Sequence, residues 1–243
     1  MKILALESSA KAASVALCED AFLIAESYQN CGLTHSRTLM PMCEDLLKNS
    51  GISLSEVDLI ACANGPGSFT GLRIGLATAK GLAWTEEKPC LGVSTLEAMA
   101  WNLIAYDGIV CCAMDARRNQ VYHALFRATA GRLERLTEDR AISMEELFST
   151  EKNRLAGQIV VGDGAQLCYD YGKKVGVEVR LAPPNLRFQH GWGVARAALE
   201  QIQQGKRGTG GDLTAHYLRL SQAERERAAR LKAEQQAEIK RSV

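Results

Sequence analysis

The chain has 243 residues, of which 47% are hydrophobic and 23% charged, with a formal net charge of +1. That length can bury one large core or two modest ones, and the composition excludes a disordered or fibrous chain. The charge balance argues against unaided nucleic-acid binding over a broad basic face, and no apolar stretch is long enough to span a membrane.

The N-terminus opens on a strand, KILALE. Its short apolar run continues directly into patterned sequence, which argues against a signal peptide. SVALC and AFLIAESY follow as the second and third strands of a meander. A helix is expected from Thr34 to Asn49, with Leu39, Cys43, Leu46 and Leu47 on one side and Pro41 starting or kinking it. The strand DLIACA leads into the loop NGPGSFTG and a second helix over Thr70 to Trp84. A short strand, CLGV, precedes a third helix whose Ser94 and Glu97 stand at capping-box spacing.

The second half begins the same way. IVCCAMD is a strand ending in a carboxylate, followed by a short turn and the strand NQVYHALF. Glu7 and Asp115 thus occupy equivalent places in two strand–carboxylate–turn–strand units, which suggests an internal duplication. Beyond them lie a capped helix at Ser143 to Phe148, a strand QIVVG, a helix near Ala165 to Lys173, a strand VEVRL and a helix from Trp192 to Gln203. GKRGTGG has the composition of a flexible linker. The segment from Ser221 reads as a charged helix opened by a Ser221/Glu224 capping box, with too little apolar content to anchor a core. The pattern predicts an α/β chain with two similar lobes, residues 1–105 and 106–205, each a mixed sheet flanked by helices, and then residues 206–243 as linker and terminal helix.

Eight cysteines, Cys18, Cys31, Cys43, Cys62, Cys90, Cys111, Cys112 and Cys168, include no C-x-x-C pair. Most fall in apolar runs, so they read as reduced core thiols of a cytoplasmic protein.

GPGSFTGLRIG, from Gly65 to Gly75, is the most informative stretch. Gly65 and Gly67 permit close backbone approach, and Ser68 or Thr70 can cap the helix that follows. No Gly-Lys-Ser/Thr follows, so the loop is not a Walker A motif, and its third glycine falls one residue late for a dinucleotide fingerprint. A structural turn and an anion cradle at the helix N-terminus both fit. Gly71, Gly75 and Ala79 then recur every four residues. Helical glycine costs about 1 kcal/mol relative to alanine, so something packs close to that backbone, either the chain's own sheet or a helix of another subunit.

GPGSFTGLRIG, together with ILALESS, THSRTLMP, VCCAMDARRNQVYHALF and the closing HYLRL, closely resembles the TsaB (YeaZ) family over nearly the whole chain. The resemblance is weak between Thr129 and Ala156. It implies the two-lobed ASKHA fold of actin-like and ribonuclease H-like proteins. It also implies a non-catalytic role in forming threonylcarbamoyladenosine on tRNA, in which the chain binds and activates the catalytic paralogue TsaD, the ATPase TsaE joins, and tRNA is met indirectly through the complex. TsaD holds a metal through an H-x-x-x-H pair. The corresponding positions here are His35 and Leu39, and leucine cannot ligate, so no metal and no cofactor are expected. The family's pairing mode makes His35, Leu39, Cys43, Leu46, Gly71, Gly75 and Ala79 the expected partner face, also open to homodimer formation. Glu7, Gly65, Gly67, Ser68 and Asp115 are candidate anion or nucleotide contacts, with local turn hydrogen bonds as the plainer reading of Glu7. Asp115 beside Arg117 and Arg118 is either a local salt bridge or a contact for a partner or anion.

Two rivals follow from the same residues. A small-molecule kinase of this fold would use the Glu7–Asp115 cleft for ATP. A peptidase would need Ser68 as nucleophile, but Ser68 lacks the nucleophile-elbow spacing and inferable His/Asp partners. His123, His190 and His216 are scattered, and surface or satisfied polar roles are expected for them.

Overall fold

The computed structural model describes residues 1–219 and 230, so the capped helix expected from Ser221 lies outside the described residues except for Arg230. The first sheet contains β1 (Lys2–Glu7), β2 (Ala13–Glu19), β3 (Phe22–Gln29), β4 (Leu59–Gly65) and β5 (Cys90–Ser94) in the order β3-β2-β1-β4-β5. β1 runs antiparallel to β2 and parallel to β4. The second sheet contains β6 (Gly108–Arg117), β7 (Gln120–Thr129), β8 (Arg132–Arg135), β10 (Ile159–Val161) and β11 (Arg180–Leu181) in the order β11-β10-β6-β7-β8, with β9 (Arg140–Ser143) also paired to β7. Reading β6, β7, β8, β10 and β11 for β1 to β5 makes the two orders coincide. The suggested duplication is therefore a repeat of topology, and the chain has the two-lobed ASKHA-type α/β fold.

β1 is apolar on both faces because both are covered. On one face Leu4, Leu6, Val15 and Leu17 pack on α1 (His35–Ser50) and α2 (Phe69–Thr85). On the other, Ile3, Ala5, Ala16 and Ala61 pack on Val194, Ala195 and Ala198 of α7 (Gly191–Gln203) and on Ala98 and Trp101 of α3 (Thr95–Trp101). Leu96 and Met99 of α3 turn instead to the second sheet, so this helix lies between the lobes. The outer face of the second sheet is covered by α4 (Met144–Thr150) and α6 (Ala165–Val175). The division expected at residues 105 and 106 is thus crossed in packing, since α7 belongs to the second half by sequence and to the first sheet by contact.

Several expectations are corrected here. Leu39, Cys43, Leu46 and Ala79, expected on a partner face, are core residues of the first lobe. A Cβ on Gly71 would lie 2.1 Å from the Ser8 carbonyl oxygen, and one on Gly75 would lie 2.3 Å from Ser8 Oγ. The glycine stripe therefore exists so that α2 can settle on the turn after β1. Pro41 does not start the helix, because α1 runs through it from His35, with the proline exposed. GKRGTGG is not a free linker, since the Cys90 N–H donates to the Gly208 oxygen at 3.0 Å and holds the segment beside β5. β8, β9 and α5 (Lys152–Leu155) give too short a pattern to be seen in the sequence.

Seven of the eight free thiols are buried, and Cys31 alone is exposed. Burial pushes the Cys18 and Cys43 thiols up to about 12 and Cys90 to about 11, which suppresses the reactive thiolate. A disulfide reagent such as DTNB at pH 8 should therefore titrate one thiol quickly in folded protein and all of them in urea. Fast reaction of a second thiol, retained in Cys31→Ser, would contradict this burial pattern.

Candidate functional site: the cleft between the lobes

A cavity of about 860 Å³ opens between the two lobes. Of three matching strand-end carboxylates, Asp115 and Asp163 line it, while Glu7, expected as an anion contact, lies buried outside its lining. β1 ends at the carboxylate of Glu7, β6 carries Asp115 near its end, and Asp163 follows β10. Glu7 is fully buried. Its Oε1 accepts the Ser9 N–H at 2.6 Å, while Oε2 has no partner among the described residues. Burial is the main cause that raises its pKa to about 7, against the local hydrogen bonds from Ser9. Asp115 repeats the device, its Oδ1 accepting the Arg117 N–H at 2.7 Å. The local salt bridge is not formed: among the described residues the Asp115 carboxylate binds a backbone amide and makes no ion pair with Arg117 or Arg118. Asp163 Oδ1 accepts from Gln189 Nε2 at 3.0 Å, and burial raises its pKa.

The turn after Asp115 is unusual. Arg117, Arg118 and Asn119 have φ of 65°, 56° and 57°. A tight hairpin turn demands positive φ at its central residues, a role suited to Asn-Gly. Asparagine tolerates it, but each arginine there costs about 1–2 kcal/mol. The turn projects Arg117 into the cavity wall.

On the first lobe, Ser68 caps α2 by accepting the Gly71 N–H at 3.2 Å, and its own N–H donates to the Ser9 oxygen at 2.6 Å. A Cβ on Gly67 would lie 2.5 Å from that oxygen, and one on Gly65 would lie 2.2 Å from the His216 oxygen. Of the loop's candidate contacts, Gly67 and Ser68 line the cavity, while Gly65 lies beneath a strap formed by the last described residues. In that strap the His216 N–H donates to the Asn64 oxygen at 2.7 Å, and Asn64 Nδ2 donates to the Thr214 oxygen at 3.1 Å. Tyr217 stacks on Phe69 at 4.0 Å, and Arg219 Nη1 reaches the Ala116 oxygen of the second lobe at 2.6 Å.

His35 Nε2 donates to the Ala10 oxygen at 2.7 Å, tying α1 to the β1–β2 turn, and Leu39 points into the core. His190 is a satisfied polar residue, placed between Glu26 at 3.4 Å and the Asn185 oxygen at 2.9 Å. His123 departs from expectation. It is fully buried, neither ring nitrogen has a partner among the described residues, and burial with nearby Arg140 lowers its pKa to about 3, so the ring stays neutral. Sequence reasoning missed Asp163, Tyr122, Phe188 and Arg219 as cleft residues. The Gly162-Asp163-Gly164 stretch after a strand was the signal available for the first of these.

The family model "TsaD: tRNA N6-adenosine threonylcarbamoyltransferase" matches residues 29–175. The tRNA threonylcarbamoyladenosine biosynthesis protein TsaB of Escherichia coli (strain K12) is 37% identical over 183 residues, which cover 74% of this chain and 79% of that protein. The TsaB protein of Bacillus subtilis (strain 168) is 34% identical, over 69% of this chain and 73% of its own. The solved structure of YeaZ from Pseudomonas aeruginosa aligns with a TM-score of 0.77 at 27% identity, covering 89% of this chain and 99% of that one. The cleft, the glycine stripe seated on the β1 turn and these similarities agree: the chain belongs to the TsaB (YeaZ) family of tRNA threonylcarbamoyladenosine biosynthesis proteins, related in sequence to the TsaD transferases.

Proposed function

We propose that this chain is the non-catalytic partner of a TsaD-type transferase in the cytoplasm, that it docks through the outward sides of α1 and α2, and that a TsaE-type ATPase joins the pair. The observation that carries the docking site is the outer stripe of α2. Ala77 and Gly81 are exposed and small, a Cβ on Gly81 would meet nothing within 4 Å, and Trp84 is 85% exposed. Met40 on α1 is 40% exposed. Small residues beside a large apolar one let two helix pairs approach closely, and such a patch favours burial. The docking face thus uses the helices the family resemblance implied, but the opposite side of each. Without the transferase, two copies of this chain are expected to pair through the same face.

The absence of catalysis is supported by the use already made of the cleft groups. The loop's Ser68 caps its own helix, Glu7 and Asp115 each bind a turn amide, and position 39 offers no second ligand.

The test is reconstitution with the host's transferase, the ATPase, ATP, a preformed activated threonylcarbamoyl donor and unmodified tRNA. Modification should require this chain, while the chain alone should hydrolyse no ATP and modify no tRNA. Gly81→Arg should remain folded, lose co-purification with the transferase and reduce modification at least tenfold. Wild-type association by that variant would remove the α2 face from the proposal, and ATP turnover by the chain alone would remove the accessory role.

A further inference from the structure

We propose that the mouth of the cleft is a direct RNA contact, with Lys11, Arg117, Arg118 and Arg219 holding backbone phosphates of a single-stranded segment. One amino-bearing base, adenine, cytosine or guanine, would enter the cavity toward Asp115 and Asp163. The choice of RNA rests on the role proposed above and is independent of the docking face.

Charge is sorted by depth. Lys11, Arg117 and Arg118 are exposed, and Lys11, Arg117 and Arg219 line the cavity. None of the four makes an ion pair among the described residues, unlike Arg127, Arg135, Arg140 and Arg154. Further in are the half-buried carboxylates of Asp115 and Asp163, each engaged at one oxygen. Two inner carboxylates repel a phosphate, so an anionic ligand must keep its charge at the mouth and present donors inward. Tyr122, Phe188 and Phe69 line the space between, giving apolar and aromatic surface for a flat ring. A nucleotide with an exocyclic amine has this polarity, and a cavity of about 860 Å³ admits one.

The local cluster also explains how a chain with a net charge of +1 can touch RNA without a broad basic face. The hairpin holds two arginines at positive φ where glycine or asparagine would suit the turn better. Placing cations at the mouth accounts for that choice.

The test uses the full chain and fluorescein-labelled octamers, oligo(A) and oligo(U), in anisotropy titrations at several salt concentrations. Oligo(A) should bind several-fold tighter than oligo(U). The double variant Lys11→Ala/Arg118→Ala should weaken both at least tenfold and flatten the log–log salt dependence by about 1.4, at ~0.7 per phosphate contact. Asp163→Asn should keep the salt dependence and lose the preference for oligo(A). Co-purification of either variant with the transferase should be unchanged, which separates this contact from the docking face. Three results would overturn the proposal: no binding by the parent chain at low salt, equal binding by the double variant, or loss of transferase association in that variant, which would make the mouth a protein interface. Displacement of oligo(A) by equimolar AMP would also overturn it, assigning the cavity to a free nucleotide.

Discussion

Gly75→Leu should leave little folded protein, while Gly81→Arg, six residues on in the same helix, should melt at or slightly above the parent temperature. The Gly75 Cβ alone would lie 2.3 Å from Ser8 Oγ and 3.3 Å from Cys62 Sγ, at the junction of α2 with β1 and β4. Both neighbours are buried, and Ser8 Oγ is held by its hydrogen bond to the Gly71 oxygen at 2.9 Å. Relief requires α2 to lift from the sheet and lose the contacts of Leu72, Leu76 and Ala79. Overpacking costs about 1–3 kcal/mol where neighbours can yield, and here the full leucine side chain should exceed that range. A net stability of roughly 5–15 kcal/mol leaves little reserve. At Gly81 the same helix gains about 0.5–1 kcal/mol from replacing glycine with a better helix former. Thermal melts by circular dichroism distinguish the pair, and a Gly75→Leu melt within a degree or two of the parent would refute the packing described for α2.

Glu7→Gln should stabilise the protein at pH 8 and do little at pH 4. An ordinary glutamate in the unfolded chain loses its proton near 4.5, whereas buried Glu7 holds its proton until about 7. Between these values the folded state binds the extra proton, so stability is greatest below 4.5 and falls as the pH rises through 7. Above that range the ionised, buried carboxylate costs about 3 kcal/mol, since each tenfold change in proton affinity is worth about 1.4 kcal/mol. Glutamine keeps an oxygen to accept the Ser9 N–H and carries no charge. Urea unfolding at pH 4, 6 and 8 should show the gap between variant and parent opening with pH, at unchanged m-value. A gap of constant size would mean that Glu7 does not titrate in this interval.

The strands, the helices and the duplicated carboxylate turns were legible because each has a local pattern: apolar runs, helical spacing, or a carboxylate two residues before a bonded amide. The side of a helix that faces the core was not legible for α2. Gly75 and Gly81 are the same residue in the same helix, and only the position of the β1 turn makes one a contact and the other a surface. The stripe that repeats every four residues marks the inward side, while the outward side carries Ala77 and Gly81, an equally small pair. Asp163 and the strap through Tyr217 and Arg219 were missed for a related reason. Their role depends on segments more than 100 residues apart in sequence, such as Arg219 and Ala116 at a separation of 103, meeting at one cleft. His123 was unreadable because nothing in NQVYHALF distinguishes a buried imidazole from an exposed one.

The place of α7 on the first sheet has a consequence for biosynthesis. β5 ends at Ser94, but α7, which covers Ile3, Ala5, Ala16 and Ala61, begins only at Gly191. Roughly 100 residues must be translated in between, on the order of 5–20 s at bacterial elongation rates of ~5–20 residues per second. During that interval the emerging first lobe can seat α1 and α2, but on its other sheet face, an alanine-rich apolar surface, only Ala98 and Trp101 of α3 are yet made. The nascent chain is therefore expected to be held by a ribosome-associated chaperone until α7 leaves the exit tunnel. For the same reason, a fragment ending at residue 105 should aggregate when expressed alone.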